Sequence, residues 1–164
     1  MGAGHRSMRS WLFWAPLIAV LAHIFEEFVF PGGFAEWDRA FRPSIRESIT
    51  PRLHVVVNAL LVLLCVSVVI DAPTPLGVPM WLAVSALLAS NAIFHVVGTI
   101  RSRRYSPGVV TGVGLYLPLA LYGYACFLGT GRASAGTAVT AAAIGGSYHA
   151  WAALMHARRT RQRR

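Results

Sequence analysis

Five stretches of this chain stay apolar for close to the ~20 residues a helix needs to cross a bilayer, and nothing else in it limits the fold as strongly. They run roughly over residues 11–30, 53–70, 78–100, 109–129 and 135–156. Hydrocarbon offers backbone N–H and C=O groups no partner, so each stretch must satisfy its own groups as a helix. The expected fold is therefore all-α: a polytopic membrane bundle of about five transmembrane helices, one domain over 1–164, with a basic tail at 157–164. Pro31-Gly32-Gly33, the turn Asp71-Ala72-Pro73-Thr74-Pro75-Leu76-Gly77 and Ser106-Pro107-Gly108 punctuate the runs.

All 15 basic residues are arginine, and the formal net charge is +9. Basic charge can mean nucleic acid. Here the arginines sit in short links between apolar runs and in the tail, which fits membrane lipid headgroups and argues against nucleic acid. Arg39, Arg42, Arg46, Arg52, Arg101, Arg103, Arg104, Arg158, Arg159, Arg161, Arg163 and Arg164 fall on one side of a five-span topology; Arg6, Arg9 and Arg132 fall on the other. The asymmetry predicts that the richer side, with the C-terminus, is cytoplasmic, in a bacterial plasma membrane. Arg6 and Arg9 sit awkwardly outside, a conflict that a first segment entering without fully crossing would relieve. The N-terminal run mimics a signal peptide but lacks a small-residue cleavage site, and is read as a retained helix. Cys65 and Cys126 lie inside apolar runs and read as small core residues.

In the longest link, 31–52, Phe34, Trp37, Phe41 and Ile45 recur at helical spacing between charged residues. This predicts a short amphipathic helix at the interface, read first as an anchor and second as a lid. Gly108 and Gly112 form a GxxxG, and Gly145-Gly146 lies in the small-residue-rich last run, so these helices are expected to pack closely.

Several residues are out of place in lipid. His23, Glu26 and Glu27 stand at i, i+3 and i+4 near the end of the first run, within an arc of about 100°. His54 with Asn58, and Asn91 with His95, are i, i+4 pairs that share a helix face. His149, with His156 two turns later, marks the fifth run. Counting ~1.5 Å per residue from the arginine-rich surface puts Glu27 about 6 Å, Asn58 about 8 Å, His95 about 9 Å and His149 about 13 Å deep. Four helices thus bring polar residues to one depth band. Buried charge of this kind is expensive and usually functional. Imidazoles mixed with carboxylates suit a transition metal, iron or zinc, and His with Glu at i, i+3 is the spacing used in di-iron carboxylate bundles.

Three of these clusters occur in a fixed order. His23-Ile24-Phe25-Glu26-Glu27, Asn91-Ala92-Ile93-Phe94-His95 and Tyr105-Ser106-Pro107-Gly108 resemble the HxxEE, NxxxH and YxPG motifs of the HXXEE-domain family, over nearly the whole chain. That family consists of integral membrane proteins without an assigned function, whose polar motifs point to enzymes. The resemblance implies that His23, Glu26, Glu27, Asn91, His95 and the Tyr105–Gly108 turn matter, and it names no substrate.

The expectation is an intramembrane enzyme acting on a lipophilic small molecule in the cytoplasmic leaflet. His23, Glu26, Glu27, His95 and His149 are its candidate metal ligands. Glu26, Glu27, Asn91 and Tyr105 are its candidate catalytic groups, and His54 and Asn58 are secondary candidates. A metal-free isomerase or cyclase using the Glu26–Glu27 pair, and a metal-ion or proton carrier, are the alternatives.

Overall fold

In a computed structural model, residues 3–149, 151, 152, 154, 155 and 158 are described, and they form helices with no strand among them. His156 and the tail from 159 onward lie outside the described residues. The helices, in chain order, are α1 (Ala3–Phe28), α2 (Phe34–Phe41), α3 (Pro51–Ile70), α4 (Gly77–Ser102), α5 (Val109–Gly129) and α6 (Ala135–Gly146). Trp11–Phe28 of α1 and the whole of α3, α4 and α5 are long and apolar enough to cross a membrane. The apolar helix α6 is shorter, and helical backbone resumes after a turn at Ser147, where the Trp151 N–H donates to the Ser147 carbonyl.

Sequence signals set most of the ends. Pro51 opens α3 behind Thr50, whose hydroxyl accepts the Leu53 N–H. Ser134 caps α6 through the Thr137 N–H. Gly32 and Gly33, both at positive φ, turn the chain after α1, and Gly108, also at positive φ, precedes α5.

Two helices are interrupted. Pro16 lies inside α1 and has no N–H for the Leu12 carbonyl four residues earlier. The buried Trp81 of α4 donates its indole N–H to that carbonyl at 2.7 Å. In α5, Gly112–Tyr116 widens into a π-turn, with the Leu117 N–H reaching back to the Gly112 carbonyl, just before Pro118. The turn places Tyr116 wholly inside the bundle.

Helix α4 is central. Trp81, Leu82, Val84, Ser85, Leu88, Ala92 and His95 are all buried along it. Helix α6 approaches it closely where Gly145 lies against the backbone of Ala83, a contact with no room for a Cβ.

The amphipathic helix does more than anchor. Phe34, Trp37 and Asp38 of α2 are buried, and the Trp37 ring lies over Gly98 of α4, where a Cβ would meet it at 2.5 Å. Helix α2 thus covers the arginine-bearing end of the bundle, where α1 and α4 finish and α3 and α5 begin.

A buried His–Glu–His cluster

Beneath α2, His23 and Glu27 from α1 meet His95 from α4. One ligand-capable atom from each lies within 4.8 Å of the other two, and all three residues are buried. Glu27 Oε1 stands 3.4 Å from His23 Nε2 and 3.3 Å from His95 Nε2. The i, i+4 spacing puts His23 and Glu27 on one face of α1, as the sequence predicts.

The outward nitrogens of both imidazoles are held by hydroxyls. His23 Nδ1 lies 2.8 Å from Thr111 Oγ1, and His95 Nδ1 lies 2.8 Å from Ser106 Oγ. His95 Nε2 is buried and, beyond its 3.3 Å approach to Glu27, has no well-aligned hydrogen bond. His23 Nε2 meets the Asn91 side-chain nitrogen at 3.0 Å, so the amide of the second motif borders the cluster. Phe34 and Trp37 roof the His95 ring at centroid distances of 5.4 and 6.2 Å. Gly108 closes the remaining side at φ 103°. A Cβ there would stand 2.7 Å from Cε1 of both His23 and His95.

Glu26 is placed differently from its neighbour. One of its oxygens accepts the Tyr105 hydroxyl at 2.5 Å and the N–H groups of Gly108 and Val110 at 2.8 and 3.1 Å. The other accepts the N–H and the hydroxyl of Thr111 at 2.7 and 2.5 Å. Five donors converge on one carboxylate at the start of α5, where free N–H groups favour negative charge. Glu26 is therefore a tie between α1 and the 105–111 segment, and it is not one of the three clustered residues. Tyr105 is committed to the same tie. Partial burial and the Glu26 carboxylate push its pKa to about 12, so it remains a neutral donor.

The other candidates lie elsewhere. His54 of α3 faces Asp38 of α2, Nε2 to Oδ2 at 3.5 Å, and packs against Phe34 and Phe28. Asp38 is fully buried and also takes a two-pronged contact from Arg42 at 2.6 and 2.5 Å. Burial raises the Asp38 pKa, but the hydrogen bonds from His54 and Arg42 outweigh it and hold the carboxyl below the ordinary aspartate value. Asn58 is half-buried on α3. His149 stacks on Phe94 at 5.2 Å, with its Nε2 buried and unpartnered, and does not join the three either. The depth count put four helices at one level, but among the described residues the three-membered cluster draws its side chains from α1 and α4.

Three residues at the site are absent from the sequence-based candidates, although Ser106 belongs to the Tyr105–Gly108 turn that the family resemblance marks. Thr111 and Ser106 are hydroxyls on the imidazoles. Tyr116 packs its ring 4.5 Å from that of His23, with its own hydroxyl buried and unpartnered. The available signal for Tyr116 was the Gly112-Val113-Gly114 stretch ahead of Pro118, a place where a helix readily takes up a π-turn.

Comparison with curated proteins and with solved structures finds no match. A family model described as "Protein of unknown function with HXXEE motif" matches residues 14–123, a span that holds all three motifs and every residue of the cluster. The chain belongs to this HXXEE family.

Proposed function

We propose that this protein is an intramembrane metalloenzyme, with its metal held by His23 Nε2, Glu27 and His95 Nε2, acting on a lipophilic substrate. One observation carries the reading: three buried ligand atoms from two helices converge within 4.8 Å. Ligands about 2.1 Å from a four-coordinate ion are about 3.4 Å apart. The two distances from Glu27 Oε1, 3.3 and 3.4 Å, fit that edge. His95 Nε2 is buried and makes no well-aligned hydrogen bond, facing only the Glu27 carboxylate at 3.3 Å, which leaves its lone pair available to a ligand. Hydroxyls on the outward nitrogens are the outer contacts that metal-binding imidazoles take.

Two histidines and one carboxylate suit zinc or non-haem iron, and three protein ligands leave positions open for chemistry. A metal bound there supplies Lewis acidity. The chain's own residues do the rest. Aromatic rings of Phe34, Trp37 and Tyr116 keep water from the site and suit an apolar substrate. Asn91 reaches the same space with a polar group able to orient that substrate. The arginine count supports a cytoplasmic orientation for this end of the bundle and for the C-terminus.

A second reading is favoured by one contact. Asn91 already engages His23 Nε2 at 3.0 Å, so Glu27 and the two imidazoles could exchange a proton without a metal.

Metal analysis of the full chain purified in mild detergent, followed by Zn²⁺ and Fe²⁺ titration, separates the two. Near-stoichiometric binding lost in H23A, E27Q and H95A supports the metal centre. A folded protein that binds neither ion above the level of those variants overturns it in favour of the acid–base reading.

A further inference from the structure

We infer that Thr111 is a positioning residue that fixes His23 as the Nδ1–H tautomer and so aims the Nε2 lone pair at the space shared with Glu27 and His95. Neither the family motifs nor the cluster itself includes Thr111.

The inference follows from counting protons. The Thr111 hydroxyl has one hydrogen and three close neighbours: Glu26 Oε2 at 2.5 Å, His23 Nδ1 at 2.8 Å and the Gly108 carbonyl at 3.4 Å. Two oxygens 2.5 Å apart must share a hydrogen, since lone pairs would otherwise face each other. Glu26 does not supply it. Its carboxylate already accepts from Tyr105 and from the N–H groups of Gly108, Val110 and Thr111, the environment of an ionised, acceptor-only group. The Thr111 hydrogen therefore points at Glu26. That leaves the hydroxyl only lone pairs for His23, so Nδ1 carries a hydrogen and donates it. In a neutral imidazole, Nε2 is then the bare nitrogen.

The order Glu26, Thr111, His23 is a carboxylate acting on an imidazole through a hydroxyl. Carboxylate contacts of this kind orient metal-binding histidines and raise their basicity, and removing them typically costs about 10–100-fold in metal affinity. Thr111 also explains why two adjacent glutamates serve one site. Glu27 faces the cluster, and Glu26 governs the tautomer of the histidine three residues earlier.

The test uses the full chain in detergent, labelled with ¹⁵N-histidine and free of metal, with H23Q identifying the His23 signals. Wild type and T111S are expected to show a protonated Nδ1 and a bare Nε2 at His23. T111V is expected to move the proton to Nε2, where Glu27 and a flipped Asn91 amide oxygen accept it, and to bind Zn²⁺ about 10–100-fold more weakly, while T111S stays close to wild type. A wild-type spectrum with the proton on Nε2 overturns the inference without any variant. So does a folded T111V that keeps the wild-type tautomer. The affinity measurement rests on the metal reading, but the tautomer does not. A tautomer that responds to T111V in a protein that never binds zinc sinks the metal centre and leaves the role of Thr111 standing.

Discussion

Trp81 donates its indole N–H to the carbonyl of Leu12, the acceptor that Pro16 leaves unserved in α1. A buried carbonyl with no partner costs about 1–3 kcal/mol, so Trp81→Phe should lower stability in detergent by that order. Pro16→Ala restores an N–H within the helix, so the cost of Trp81→Phe should shrink in that background. Thermal unfolding of the four proteins in this double-mutant cycle reads the coupling directly. Equal costs in both backgrounds would mean that Trp81 acts by packing alone.

Gly108 is the narrowest point of the cluster. Its φ of 103° strains any other residue, and an alanine Cβ would stand 2.7 Å from both imidazoles. Gly108→Ala should leave helix content by circular dichroism near wild type, because the glycine precedes α5 and is not within it. Metal binding should fall by at least about tenfold, the scale seen when the surroundings of a metal ligand are disturbed. Wild-type zinc affinity in this variant would show that the two imidazoles need not stand where they do.

The sequence reveals some layers of this fold and not others. Helices α3, α4 and α5 follow from apolar run length, and the break after α1 from Pro31-Gly32-Gly33. His23, Glu27 and His95 are legible because imidazole and carboxylate deep in an apolar run demand an explanation. Glu26 and Tyr105 were legible as important but not as structural, since only the fold brings five donors to one carboxylate. His54 and His149 show the limit of counting depth. A helix with polar residues at the right level can still turn them toward α2 or toward Phe94. Thr111 carried no signal of its own, because a hydroxyl in a membrane helix ordinarily bonds its own backbone, and Ser106 was marked only as part of the Tyr105–Gly108 turn.

Asp38 sets a pH limit on the cover. Its folded pKa lies below the ordinary value. A carboxyl of that kind contributes stability that is fully present above its unfolded pKa of about 3.9 and is lost as pH falls through the folded value. Docking of α2 should therefore hold from neutral pH down to about pH 4 and loosen below it. Pepsin cleavage within 34–41, scaled to an unfolded reference peptide, should accelerate in that acid window. Asp38→Asn should be cleaved faster even near pH 5 and should show little further change on acidification. Identical scaled rates for the two proteins throughout would detach α2 from this carboxylate.

Glu26 and Glu27 should differ in what they contribute to binding. In Glu26→Gln an amide nitrogen replaces an oxygen among five donors, so at least one donor loses its acceptor and the charge at the start of α5 disappears. Hydrogen bonds to a charged group contribute about 1.5–3 kcal/mol each, so a loss of about 2–3 kcal/mol is expected. Metal binding should weaken only through His23. Glu27→Gln removes a buried charge that makes ion-pair contacts with the two imidazoles. Without metal, taking one partner out of that buried contact should itself lower stability, and zinc binding should be lost outright, where Glu26→Gln only weakens it. Unfolding midpoints and zinc titrations of both variants supply the comparison. If Glu26→Gln abolishes binding at full stability while Glu27→Gln keeps its zinc affinity, the two carboxylates have been assigned each other's work.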